Sequence, residues 1–304
     1  MTNQITPTEG QVAQAKDLLG AAIRKSGVSK DGMDLLIGNG GVFQNRIIPI
    51  IQDLGGITPS PYKDEVTDRT CGYPASWSVP SFDEQRERTA KLFPDLVLPE
   101  IANRDIVVPN GWDGIWWFPP KIAAIGRICG IADCYADYDT VVKHPLALIG
   151  EQRTFTNYRT QDGDQLTAEY IRINELVRDR VQTLEAATDG DFLSPMPITF
   201  GQFYGGFSPR NARETAIRRQ ELPLCTAQVG SLLAVMPERL VAYEDLWIDV
   251  PGDEYSWCAG GRWALSLCFD FDDAELGFDA NDAGDARGYS GSVVGLPGVL
   301  EPAA

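Results

Sequence analysis

The sequence predicts an α+β protein in which a helical N-terminal region precedes a mixed domain of short antiparallel strands. Two stretches carry the helical half of that expectation. Val12, Ala15, Leu18, Leu19, Ala22 and Ile23 recur at three- and four-residue intervals, which places them on one face of a helix. Leu166, Ile173, Leu176, Val177 and Leu184 repeat in the same manner between Gln165 and Ala187. The strand half rests on Trp263, Leu265, Leu267, Phe269 and Phe271. They alternate with small or polar residues, as the inward face of a half-buried strand requires.

In chain order, the first helix runs from Thr8 to the stop at Gly27. A short apolar segment, Met33 to Ile37, ends at Gly38-Asn39-Gly40-Gly41, and a third, Val42 to Leu54, is interrupted by Pro49. These define a helical region over 1–56. Residues 57–188 read as linker and mixed middle region. Pro59, Pro61, Pro74 and Pro80 punctuate its start. Ser81 is a good cap for a helix that begins Phe82-Asp83-Glu84 and stops near Phe93-Pro94. Leu96–Leu98 and Ile106–Val108 read as short strands. Trp112, Trp116, Trp117 and Phe118 can line a pocket or simply pack, and packing is the preferred reading because large rings bury much area. The stretch from Lys121 to Tyr138 looks helical, and His144 before Pro145 reads as loop. Thr188-Asp189-Gly190 closes the Gln165–Ala187 helix.

The third region is 189–304. Ser208 followed by Pro209 marks a helix start, and this helix continues to about Gln220. Glu221 to Tyr255 reads as apolar runs separated by turns. Beyond the alternating strand, Asp272-Asp273 forms a hairpin turn, Ala274–Phe278 pairs back, and Tyr289–Leu296 is a last strand.

Composition excludes several functions. The 304 residues carry a net charge of −17, and Asp249 to Ala304 alone holds eleven Asp or Glu against Arg262 and Arg287. Phosphate backbones attract cations, so no nucleic-acid partner is expected. No apolar run reaches membrane-spanning length. Nor does the N-terminus show a basic-then-apolar signal, so the expected compartment is the cytoplasm, with no membrane partner. Six scattered cysteines form no CxxC, and His144 is the single histidine, which leaves little to bind zinc. Nucleotide-loop and nucleophile-elbow motifs are absent.

The tail carries a more specific signal. The order GDEYS…GRWALSLCFDFDDAELGF…GYSGSVVGLP resembles the C-terminus of variable proteins from diversity-generating retroelements. The resemblance covers roughly residues 220–300, and the chain runs past the point where many relatives stop. It implies a C-type-lectin-like fold of the formylglycine-generating-enzyme kind, with a fixed framework and exchangeable exposed side chains. In that family an error-prone reverse transcriptase rewrites adenine-containing codons near the 3′ end of the gene. The implied activity is ligand binding, with no catalysis. The surface expected to do it comprises Tyr255, Trp257, Cys258, Arg262, Trp263, Asp272, Asp279, Asn281, Asp282 and Tyr289, while Leu267, Phe269 and Val293 hold the core. Tyr and Trp supply rigid contact area, and Ser, Gly and Asn adaptable polar contacts. The expected partner is a protein or cell-surface ligand, and the N-terminal helices offer a route to oligomers.

No cofactor is expected. The acidic tail can gather structural calcium, which favours many oxygens, although a solvated acidic surface is the simpler reading. The competing expectation is an enzyme. One form is an oxidase related to formylglycine-generating enzymes, but those use a closely spaced pair of reactive cysteines, whereas Cys258 and Cys268 lie ten residues apart. The other is an unrecognised site near Trp116, Trp117, Cys129 and Cys134.

Overall fold

The computed structural model describes residues 9–38, 47, 60–100, 112–113, 115–161 and 163–297. The chain divides into two compact units, Met1–Ile51 and Gln52–Ala304. In the first, helix α1 (Glu9–Lys25) and helix α2 (Lys30–Gly38) stand where the apolar spacing places them. Gly27 takes a left-handed φ of 72° between them, a conformation that suits glycine. The expected third helix over 42–54 and the strand at 106–108 lie outside the described residues, apart from a helical Ile47.

The second unit is mixed α/β. Helix α3 (Phe82–Leu92) has the expected cap, since Ser81 Oγ accepts from Glu84 N at 3.2 Å. Strand β1 (Ile115–Trp117), helix α4 (Ile122–Ile128), helix α5 (Tyr138–Gln152), strand β2 (Phe155–Asn157) and strand β3 (Ile171–Ile173) follow. Then come helix α6 (Glu175–Ala186), strand β4 (Met196–Gly205), helix α7 (Pro209–Arg218), strand β5 (Leu222–Pro223) and helix α8 (Thr226–Val235). Strands β6 (Trp247–Ser256), β7 (Trp263–Asp272), β8 (Glu275–Asp282) and β9 (Ser290–Gly295) complete the described chain.

The nine strands among the described residues join one sheet in the order β1-β4-β9-β6-β7-β8-β2, with β3 on β6 and β5 on β9. Most pairs are antiparallel, but β9 runs parallel to β6 and β2 parallel to β8. One face packs the main core. Phe200, Ile248, Val250, Leu267, Phe269, Phe278 and Val293 meet residues of α4, α5, α6 and α8 there. The neighbouring Val294 points the other way, into a smaller cluster with Tyr204 and with Ala212 and Ala216 of α7, as strand alternation dictates. Helices therefore cover both faces.

Several expectations need correction. The boundary expected at 188/189 runs through this sheet, because β1 pairs with β4 across it. The long helix expected over 165–187 is only its second half. Asn174 caps α6 by accepting from Leu176 N, and Ile171–Ile173 is instead a strand on β6. Leu166 and Ile173 are buried, but Leu176 is exposed, so the apolar spacing mixed two elements. Leu96–Leu98 is not a strand: Leu96 N closes a turn onto Phe93 O, and Val97 N bonds the Asp191 carboxylate. The helix expected from 121 to 138 stops at Ile128, and Gly130 turns the chain at φ 71°. His144 and Pro145 lie inside α5, not in a loop. The β7–β8 turn is one residue later than expected. Asp272 pairs with Glu275, and Asp273 and Ala274 form the loop with φ of 47° and 63°. Two positive φ values match the twist of a two-residue hairpin.

Candidate ligand-binding surface

The ten residues singled out in the tail occupy three places. The first is the tip of the β6–β7 hairpin. Ser256 and Trp263 face each other across the two strands, and the chain between them turns sharply. Its backbone is tied down. Ser256 Oγ donates to Cys258 O at 2.9 Å. Gly261 N donates to Cys258 O at 2.9 Å and Gly260 N to Glu169 O at 3.0 Å. Gly260 has φ of 62°, and a Cβ at position 261 would overlap Cys258 Sγ and Ser256 Oγ. The two glycines are thus required by conformation and by space. The fixed loop holds Trp257 at 68 % exposure, with Cys258 and Arg262 also exposed.

Support for the tip comes from β3 and the start of α6. The Arg172 guanidinium lies 4.3 Å from the Trp263 ring centre, a cation–π contact. Glu254 holds that guanidinium at 2.7 Å, accepts from Asn174 Nδ2 at 2.9 Å, and lies 3.5 Å from Arg213. Tyr255 belongs to this support and not to the surface. It is fully buried, its ring stacks on Tyr170 at 6.5 Å, and its hydroxyl donates to Gln165 Oε1 at 3.2 Å. Its expected display role is therefore corrected. The ring faces the main core from β6, where Tyr255 is the register partner of Ile171 in β3.

The second place is the sheet face turned away from the main core. Ser292, Asp249, Cys268 and Asp279 line up across β9, β6, β7 and β8 by register. Ser290 Oγ donates to Asp249 Oδ2 at 2.7 Å, and Asn281 Nδ2 lies 3.0 Å from Cys268 Sγ. Asp279 pairs with Arg159 at 2.7 Å. Burial raises the Asp249 carboxyl to about 6. Burial, then the charges of Asp279 and Asp272, raises Asp270 to about 6 as well. Asp279 and Asn281 are half-buried members of this network, while Asp282, at the strand end, is exposed and accepts from Gly284 N at 2.8 Å.

The third place is the opposite end of the sheet. Asp272 is exposed there at the β7–β8 turn. Tyr289 packs its ring 4.8 Å from Trp247, and Trp247 packs 6.1 Å from Tyr243. Trp247 opens the ten-residue strand β6 and Trp257 follows its end. Tyr289 and Trp257 are therefore separated by on the order of 30 Å. The sequence-selected set does not form one patch.

The expected enzyme sites fare differently. Cys268 is fully buried, and burial with the charges of Asp249, Asp270 and Asp279 pushes its thiol well above the usual range. Cys258 stands apart from it on the exposed loop. Burial also raises the Cys129 thiol, and raises Cys134 to about 11 with Glu185 and Asp133 adding to it. A protonated thiol is a poor nucleophile. Trp117 is fully buried and its Nε1 donates to Thr89 Oγ1 at 3.4 Å. Trp112 packs against Phe203 at 5.7 Å. Both tryptophans pack, as the preferred reading had it. Burial lowers the pKa of His144, whose ring lies 6.0 Å from Phe93. Among the described residues, no group of three or more His, Cys, Asp or Glu is placed to hold a metal ion, and no helix is long and apolar enough to cross a membrane.

Sequence reading missed Glu169, Tyr170, Arg172, Asn174 and Glu254. All but Glu254 reach the tip from roughly eighty or more positions away, so no local spacing signals them. Against protein-family models, curated proteins and solved structures, the chain shows no match.

Proposed function

We propose that this protein is a ligand-binding protein whose contact surface is the β6–β7 hairpin tip, displayed on a C-type-lectin-like framework and diversified by a retroelement. One observation carries the binding reading. A large aromatic side chain, Trp257, is held 68 % exposed by a loop whose backbone is hydrogen-bonded and sterically fixed. A rigid aromatic loses little conformational freedom on contact, which favours binding.

The framework reading draws support from chain order. From β4 the chain runs strand, helix, short strand, helix, then the three-stranded meander β6–β7–β8. The last strand, β9, returns to lie between β4 and β6. The quoted segments that carry the resemblance fall on the end of β6, on β7 with the start of β8, and on β9. Leu267, Phe269 and Val293 are fully buried, as core positions of such a framework should be. The exposed positions with no ring packing of their own are Trp257, Cys258, Arg262, Asp272 and Asp282, whereas Tyr289 is exposed but packs on Trp247.

Sequencing the gene's surroundings tests the diversification. The expected result is a reverse transcriptase gene and a near-copy of the 3′ coding segment that differs at adenines. Differences should fall in the codons of the exposed tip and spare those of Leu267, Phe269 and Val293. A locus with neither element overturns the diversification reading.

A further inference from the structure

Charge is distributed unevenly over the two ends of this sheet. From Asp270 to Glu275 the β7–β8 turn carries four acids and no base. From Tyr255 to Ala264 the hairpin tip carries one charge, that of Arg262. The chain as a whole has 43 acids against 26 Lys and Arg. Nine of the seventeen arginines among the described residues sit in ion pairs: Arg88, Arg127, Arg159, Arg172, Arg178, Arg210, Arg213, Arg218 and Arg287. Arg262 is exposed and is in none of them. Of the acids near the tip, Glu254 is held by Arg172 and Arg213, an Asp282 oxygen accepts from Gly284 N, and Glu169, whose carbonyl accepts from Gly260 N, is exposed.

We infer that the hairpin tip recognises an acidic peptide segment of a partner protein, with Arg262 taking a carboxylate and Trp257 the adjacent apolar side chain. The inference rests on the binding role of the tip and adds the chemistry of the ligand. A guanidinium presents a planar fork that matches a carboxylate with two parallel hydrogen bonds. Tryptophan and arginine are the side chains that most often dominate binding energy at protein interfaces. An acidic segment is repelled by the turn end, which favours one orientation of it along the sheet. A nucleic acid needs a row of cations along its backbone, and the tip offers one.

The test uses the full chain, immobilised, and a displayed library of random twelve-residue peptides selected at low salt. Selected peptides are re-measured on the Trp257→Ala, Arg262→Ala and Arg262→Glu variants. The expected peptides carry Asp or Glu next to an apolar residue. They lose binding to Trp257→Ala, weaken at least about tenfold on Arg262→Ala, and fail on Arg262→Glu. Peptides that depend on Trp257 but are neutral or basic, and ignore Arg262→Ala, overturn the acidic-ligand inference and leave the binding surface standing. A selection that yields no Trp257-dependent peptide overturns both.

Discussion

Replacing Arg239 with methionine should destabilise the protein by about 3–5 kcal/mol, since the sheet at the start of β6 depends on this buried cation. Arg239 ends a turn of 3-10 helix after α8 and is fully buried. Its Nη1 donates to Leu246 O at 2.9 Å and its Nη2 to Phe200 O at 2.8 Å. The guanidinium lies 4.0 Å from the Tyr73 ring centre. Tyr73 donates to the Asp113 carboxylate, which also accepts from Phe200 N at 2.6 Å. One side chain thus ties β4, the approach to β6 and the 73–113 region together. Methionine keeps the volume but leaves two buried carbonyls without this partner, at about 1–3 kcal/mol each. Asp113 loses its nearby positive charge as well. The two routes to the magnitude agree. Urea unfolding followed by circular dichroism measures it. A loss under about 1 kcal/mol at unchanged m would show that the carbonyls find other partners and would refute the reasoning. The control is Trp257→Ala, whose exposed ring should change stability by less than about 0.5 kcal/mol.

Stability should fall as pH rises from about 4 to 8. Burial raises Asp249 and Asp270 to about 6 and Asp253 and Glu221 to about 7. The folded chain therefore keeps protons that an unfolded chain releases near pH 4, and their contribution is lost through the folded values. Glu65, Asp164 and Asp191 are lowered and act in the opposite sense, but only below about pH 4.5. A urea midpoint higher at pH 8 than at pH 5 contradicts this account. Gly261→Ala should displace the tip, because the new methyl meets Cys258 Sγ and Ser256 Oγ. The cost is about 1–3 kcal/mol, and unchanged acrylamide quenching of the exposed tryptophan counts against it. Ala274→Gly should stabilise by up to about 1 kcal/mol, since Ala274 holds a left-handed φ of 63°; a lower thermal midpoint refutes it.

Elements whose faces differ in polarity were legible in the sequence. β7 alternates apolar and polar residues even though both of its faces are buried at the centre, and α7 announces itself by a serine cap and a first-turn proline. Apolar elements buried all round were not. Every residue of α8 is buried, so its sequence shows no apolar stripe and reads as apolar runs between turns. A helix surrounded by protein on every side loses the periodic signal. β3 was hidden because its three residues fit the helical spacing of α6, and its pairing with Asp253–Tyr255 is a contact across the chain. The site was half legible. Trp257 and Arg262 stood out as residue types, but nothing local places Tyr255 opposite Ile171 of β3 or Tyr289 at the far end of β6.

Trp257 and Arg262 are exposed, whereas the strands that hold the tip bury Leu265, Leu267 and Phe269 on one side and Ser266 and Cys268 on the other. Energies at sites that share no partners add. On the proposed binding reading, exchange of tip residues therefore changes affinity without drawing on the stability of the sheet. Tyr255, Asp279 and Asn281 lack that freedom: Tyr255 is buried, Asp279 is paired with Arg159, and Asn281 is bonded to Cys268. The limit on a variable surface here is set by the two glycines, Gly260 and Gly261. The tip tolerates new side chains at 257, 258 and 262 only while those two positions keep the backbone in place.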